Sequence, residues 1–581
     1  MHRRTFIHSS VAAAAAAVLG ACSNHRADIA ADRSAALRGF VAERMARGKL
    51  VGASAALVEN GRLAWAEGFG LADRNAGAAM SPATVVGIGS VTKTFTSLAI
   101  MQLQRRGLLD IDVPITRYVP QLRIGTRGAD LQQVTVRSLM NHTSGLPTDV
   151  FKYTELEKAR YTDVVDLLND TELAAWPQTI GLYSNIGYSL LGVAIRNVSG
   201  EDYPDYLRRH VLAPLNMSHS GFAGDAALSP LSVLYYADGR TAPAFELRDQ
   251  PAGGVYSNVE DLSRYAIAMM DAWHGKSNAV IDADSVRLMF TPSNENILVE
   301  SNRKGLGWFT FRNSTAFAMY HAGSTGFANA ALLLFPQTRD AAVILVNTVG
   351  GDRLANEYAF DKLKSHGLKV EDIRPVPRLP ALDKQATPVV MSAEMLKQCA
   401  GAYARKRDFA LVSRDGNDLL LVDGDETLRL KSLSDGSFQP FATAATTTQS
   451  DLDGVRYRFA DAGPYHVLFR IDADGVWQQG YRQPDSATAV AWRERIGRYE
   501  LFGYQIQGNE RIVAAEINAF DTHQPRLQLV YNTGKFAYPL IFGSATHAVT
   551  GGLGPQTTGE VVRFSDDGSQ LFYSGLTFRK V

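Results

Sequence analysis

A proline-rich run, Arg374-Pro375-Val376-Pro377-Arg378-Leu379-Pro380, divides the chain into two stretches of different periodicity. Before it, apolar residues recur at helical spacing in several segments, with β-like runs towards both ends. After it come short alternating runs such as Val455-Arg456-Tyr457-Arg458-Phe459, punctuated by Asp-Gly turns that begin at Asp415, Asp423, Asp453, Asp474 and Asp567. Prolines in series stiffen a connection and cannot continue a helix, so the run reads as a semi-rigid linker. A chain of 581 residues has room for several domains. We divide it into a leader (1–21), a mixed α and β domain (22–372), the linker (373–391) and two small all-β units (392–490 and 491–581). The units open on a weak repeat, Gly401-Ala402-Tyr403 and Gly497-Arg498-Tyr499. Barrels would remove their exposed edges.

Within 22–372 the expected layout is an antiparallel sheet flanked by helices, with a helical region inserted between its first and last strands. Ala53 to Val58 and Leu63 to Gly68 flank Glu59-Asn60-Gly61, a hairpin signal. Ala316 to Tyr320, Ala330 to Phe335 and Ala341 to Asn347 supply the later strands, and Asn258 is placed to cap a helix running through Met270.

The leader carries Arg3 and Arg4, an apolar run from Val11 to Leu19 too short to span a bilayer, and Leu19-Gly20-Ala21-Cys22. These resemble a twin-arginine export signal and the lipobox of bacterial lipoproteins. They imply a periplasmic protein held at a membrane by lipid on Cys22. The other cysteine, Cys399, then has no partner in the chain. Lys+Arg and Asp+Glu are equal at 59 each, without the basic excess of a nucleic-acid binder. The 12 histidines are scattered and form no metal-ligand pattern, so neither metal nor organic cofactor is expected.

Chemistry concentrates in three places. Ser90-Val91-Thr92-Lys93 sets a hydroxyl and an amine about one helical turn apart, followed by Phe95, Leu98, Ala99, Met101 and Leu103 at helical spacing and then Gly107. A buried neutral amine can take the proton of a serine. A second Ser-x-x-Lys, Ser301 to Lys304, lies in a polar stretch that reads as a surface loop. Tyr183-Ser184-Asn185 enters an apolar helix, and His321-Ala322-Gly323 precedes Ser324 between two β-like runs. Tyr256-Ser257-Asn258 also spells Tyr-x-Asn, but helix capping accounts for Asn258. His142, in Asn141-His142-Thr143-Ser144-Gly145-Leu146-Pro147, reads as a loop-bonding histidine.

Ser90-x-x-Lys93, Tyr183-Ser184-Asn185 and His321-Ala322-Gly323, in that order, resemble the serine β-lactamase-like, penicillin-recognising hydrolases. The likeness is to the branch of class C β-lactamases, D-alanyl carboxypeptidases, D-aminopeptidases and related esterases. Pro214-Leu215-Asn216-Met217, Pro251-Ala252-Gly253-Gly254 and Gly305-Leu306-Gly307-Trp308 resemble further landmarks, over roughly residues 35 to 365. The resemblance implies an acyl-enzyme on Ser90, proton handling shared by Lys93 and Tyr183, and substrate orientation by Asn185. It also implies an oxyanion hole from the amides of Ser90 and Ser324, beside Gly323. His321 stands where β-lactamases have lysine, and resembles D-aminopeptidases, alkaline D-peptidases and some esterases. The expected substrate is a small peptide, amide or ester, D-residue peptides first. A carboxylesterase and a slowly acylating penicillin-binding protein are the alternatives. Oligomeric state is not legible.

Overall fold

The computed structural model describes residues 34–581 apart from 151–159, 244–246, 277, 300–301, 375–378, 406–407, 444–447, 474, 484–486, 504–511, 520–524 and 552–558. The leader with Cys22, the centre of the linker, Ser301 and Asp474 therefore lie outside the described residues.

The first hairpin forms as its sequence dictates. Strands β1 (Gly52–Glu59) and β2 (Arg62–Asp73) turn at Asn60 and Gly61, with φ of 51° and 73°. This left-handed pair matches the twist of the strands it joins. Strand β3 (Ala78–Ala79) adds an edge, and β4 (Val86–Gly87) pairs separately with β5 (Tyr256–Ser257). Strands β6 (Phe309–Arg312), β7 (Phe317–Ser324), β8 (Asn329–Phe335) and β9 (Asp340–Val346) complete an antiparallel sheet in the order β3-β2-β1-β9-β8-β7-β6.

Both faces of this sheet are covered. Along β8, Ala330, Leu332 and Leu334 face one core while Ala331, Leu333 and Phe335 face the other, the period-2 alternation of a strand. On the second face lie α1 (residues 34–48), through Leu37, Val41 and Met45, and a C-terminal helix (Asp352–Ser365), through Leu354, Tyr358 and Leu363. The first face carries the inserted helical region: α2 (Thr92–Arg105), α3 (Asn185–Ser199), α4 (Gln250–Gly253) and α5 (Val259–Trp273). Each buried leucine there contributes about 1.5–3 kcal/mol of transfer free energy. Asn258 caps α5, its Oδ1 accepting from the Asp261 amide at 2.8 Å.

The C-terminal third is two closed antiparallel barrels of eight strands each, Gly401–Arg482 and Gly497–Lys580. Closure joins first strand to last, at Tyr403↔Arg482 and Tyr499↔Lys580. The weak sequence repeat has a structural counterpart. Tyr403 donates its hydroxyl to the Cys399 carbonyl at 2.7 Å and Tyr499 to Arg495 at 2.8 Å, four residues upstream in each barrel. Cys399 ends a short helix (Ala393–Cys399); a second, Ala487–Arg493, stands before the other barrel, in a stretch read from sequence as non-helical. Beyond 378 the linker lies along the first barrel, where the Val389 amide donates to Ser432 O at 3.0 Å.

The three units share one apolar cluster. Ala174, Ile180 and Leu182 of the first domain share it with Phe409, Val467 and Tyr481 of the first barrel and Ile541 and Val549 of the second. Lys304 corrects one expectation: it is buried rather than on a surface loop, its amide held by Asn294 Oδ1 at 2.8 Å.

Candidate active site

Ser90 sits in a 3₁₀ turn, Gly89–Val91, that runs directly into α2. One turn further on, Lys93 is completely buried, and its Nζ donates to Ser90 Oγ at 3.0 Å, Asn185 Oδ1 at 2.6 Å and the Ala252 carbonyl at 2.8 Å. Those three acceptors match the three donors of an ammonium. Burial nevertheless pushes the amine down to about 7, with the charges of Asp149 and Asp249 resisting the shift.

Tyr183 and Asn185 arrive together because they stand at the start of α3. Ser184 caps that helix, its Oγ accepting from the Gly187 amide at 2.9 Å and donating to Pro147 O at 2.6 Å. This leaves the Tyr183 side chain hydrogen-bonded to Ser90, with Lys93 Nζ 4.8 Å from its ring centre. Burial raises the Tyr183 phenol well above its ordinary range. Asn185 bridges two charges: Oδ1 accepts from Lys93, and Nδ2 donates to Asp149 Oδ1 at 2.9 Å. His142 supports the same corner, accepting from the Ser184 amide at 3.1 Å with its ring 4.3 Å from that of Tyr183.

Strand β7 closes the site from the other side. A Cβ on Gly323 would overlap the Ile88 carbonyl and stand 3.1 Å from the Ser90 nitrogen; one on Gly89 would stand 2.6 Å from the Ser324 nitrogen. Only two glycines let the serine turn and the strand approach so closely. The amides of Ser90 and Ser324 consequently belong to one small region.

His321 stands on β7, two residues before Gly323. It is buried, Nδ1 engages the Ala322 carbonyl at 2.6 Å, and its ring packs 5.3 Å from Phe309, which in turn stacks 6.4 Å from Tyr183. Burial, then the charge of Lys93, pushes the imidazole down to about 3. It is neutral over the whole physiological range.

Residues 37–364 match the family model described as Beta-lactamase, more than half of the chain. The chain belongs to the beta-lactamase family. Protein flp of Staphylococcus aureus (strain MW2) is 29% identical over 327 residues, 55% of this chain and 63% of flp. The putative penicillin-binding protein PbpX of Bacillus subtilis (strain 168) is 30% identical over 263 residues, 44% of this chain and 61% of PbpX. The chain thus spans less than two thirds of these curated relatives. Among solved structures, the octameric penicillin-binding protein homologue from Pyrococcus abyssi aligns at TM-score 0.50 and 24% identity, over 77% of this chain and 99% of that one. SurE aligns at TM-score 0.54 and 22% identity, over 76% and 98%. These last two likenesses are of fold. The beta-lactamase family comprises serine hydrolases, and this fold followed by two barrels is the architecture seen here.

Sequence reasoning named Ser90, Lys93, Tyr183 and Asn185, and the structure brings these four side chains together. It missed Asp149, Asp249 and the Ala252 carbonyl, which share the Lys93 environment. It also missed Glu560, 411 residues from Asp149 in the chain, whose Oε1 accepts from the Asp149 amide at 2.6 Å. The Pro251-Ala252-Gly253-Gly254 landmark was the one available signal for the carbonyl.

Proposed function

We propose that this protein is an exported hydrolase that cleaves small peptides or amides, those with a D-residue first, through an acyl-enzyme on Ser90. The observation that carries this reading is the Ser90 to Lys93 contact of 3.0 Å at an amine poised near neutrality. In acylation the Ser90 oxygen attacks the substrate carbonyl and its proton passes to neutral Lys93. Tyr183, whose phenol stays protonated, is suited to relay that proton to the leaving nitrogen rather than to act as a phenolate base. The developing oxyanion is taken by the Ser90 and Ser324 amides, each such donor commonly worth about 10²–10³ in rate. Water then repeats the sequence to release the acyl group. Export and a lipid at Cys22 complete the proposal, on the leader alone.

A carboxylesterase is the second reading, and one observation favours it: neutral, buried His321 offers no fixed cation to a substrate carboxylate. A fluorophosphonate probe should label Ser90 in the wild type, located by mass spectrometry of the modified peptide. Turnover should fall by about 10⁴-fold or more in Ser90→Ala; activity persisting in that variant sinks the mechanism. D- and L-aminoacyl p-nitroanilides compared with p-nitrophenyl esters decide between the two substrate classes.

A further inference from the structure

We propose that Glu560, carried by the second barrel, is a positioning residue for the Ser90 centre, holding the Asp149 segment that orients Asn185 and, through it, Lys93. This rests on the reading of Ser90 and Lys93 given above.

The connection is continuous. Glu560 Oε1 accepts from the Asp149 amide at 2.6 Å, Asp149 Oδ1 accepts from Asn185 Nδ2 at 2.9 Å, and Asn185 Oδ1 accepts from Lys93 Nζ at 2.6 Å. Glu560 is itself fixed to its barrel. Its amide donates to Thr550 Oγ1 and the Thr550 amide donates back to its carbonyl, both at 2.9 Å. Just before it, a Cβ on Gly559 would stand 2.7 Å from the Leu182 side chain, the residue preceding Tyr183. The barrel therefore meets the catalytic domain at the one segment that carries Tyr183 and Asn185 and at the Asp149 segment to which Asn185 is bonded. The Asp149 segment has further ties: Thr148 O accepts from the Asn185 amide at 2.8 Å, and Arg248 Nη1 donates to Val150 O at 2.9 Å.

A carboxyl is a costly residue for a domain junction, because burial without full pairing penalises it. Glu560 is 1% exposed, and desolvation and the nearby Asp149 charge hold its carboxyl well above the usual range. An apolar side chain would pack more cheaply but could not accept from the Asp149 amide. Burial pushes the Asp149 carboxyl up as well, its hydrogen bond from Asn185 opposing, and the negative charge of Asp149 in turn resists the lowering of Lys93. Facing Glu560 are Asp149, Arg248 and Tyr573. Facing Lys93 are Asp149, Asp249, His142, His321, Tyr183 and Tyr188.

The test measures Ser90 acylation by a fluorophosphonate between pH 5 and 9 in the full chain, with circular dichroism of each variant. Glu560→Met keeps the volume and removes the acceptor. It should acylate at least about tenfold more slowly at its plateau, as an orphaned buried amide lets the segment shift. Its rising limb should also move to lower pH by about half a unit or more, because the Asp149 charge leaves Lys93. Glu560→Gln, an acceptor that does not ionise, should recover most of the rate. A wild-type plateau and limb in a folded Glu560→Met overturns the proposal. So does a slower plateau with an unmoved limb, or a Gln variant no better than Met. Failure of the wild type to label Ser90 overturns the preceding reading instead.

Discussion

At the scale of residues, the site turns on one amine. Lys93 is buried among two aromatic rings and three acceptors, and its protonation midpoint lies near 7 instead of 10.5. Its lone pair is available to Ser90 only above that midpoint. The acylation rate should therefore rise with pH between about 6 and 8 and then level off, without a second rise from Tyr183, whose phenol ionises far higher. A pH profile of labelling under single-turnover conditions checks this; a limb centred near 10 would mean that Lys93 stays charged and another group is the base. The folded-state shift has a second consequence of fixed sign. His321 is pushed to about 3, so the unfolded chain binds the extra proton between that value and 6.5, and stability falls as the pH drops through this window. Ser90 and Lys93 were legible because their partnership is local, three residues apart on one helical turn. Asp149 was not: a lone acid after a loop carries no pattern, and its importance comes from partners 36 and 411 residues away.

Among elements, caps and close approaches do the positioning. The two Tyr-x-Asn triplets show how local context separates them. Asn258 spends its side-chain oxygen on the Asp261 amide and its nitrogen on the Ala83 carbonyl, while Asn185 spends both on the Lys93 and Asp149 charges. Asn258→Ala should thus destabilise the protein by about 0.5–2 kcal/mol, the usual value of a lost cap, and leave Ser90 labelling intact. Asn185→Ala should slow labelling by at least tenfold. Denaturant melts beside labelling rates check the pair; the reverse pattern would exchange their roles. The hairpin, α2, α5 and the three strands β7 to β9 were readable from turn residues and periodicity. Strand β6 was not, since its four residues are too few to show alternation. The helix Ala487–Arg493 escaped too, although the equally short helix Ala393–Cys399 was legible in the segment near Met395.

For the whole molecule, the decisive feature is the apolar cluster in which all three units meet around Leu182 and Val549. Val549 is 1% exposed in the second barrel and belongs to the cluster that the three units share. A charge placed there is buried without a partner and strongly opposed. Val549→Asp should loosen the barrel from the catalytic domain, splitting a single calorimetric unfolding transition into two. One unchanged transition would mean that the units are not coupled through this cluster. Barrel closure itself was an inference from many short strands and Asp-Gly corners; which residues face the neighbouring domain was invisible, because a barrel's outward positions look alike in sequence whether water or protein covers them.

Because each ring of eight strands returns to its own beginning, neither offers, among the described residues, a spare row of amides and carbonyls to a foreign strand. Fibre growth or strand exchange through these rings would first have to break one open, so a partner docking on a closed ring is met by side chains rather than by an added strand.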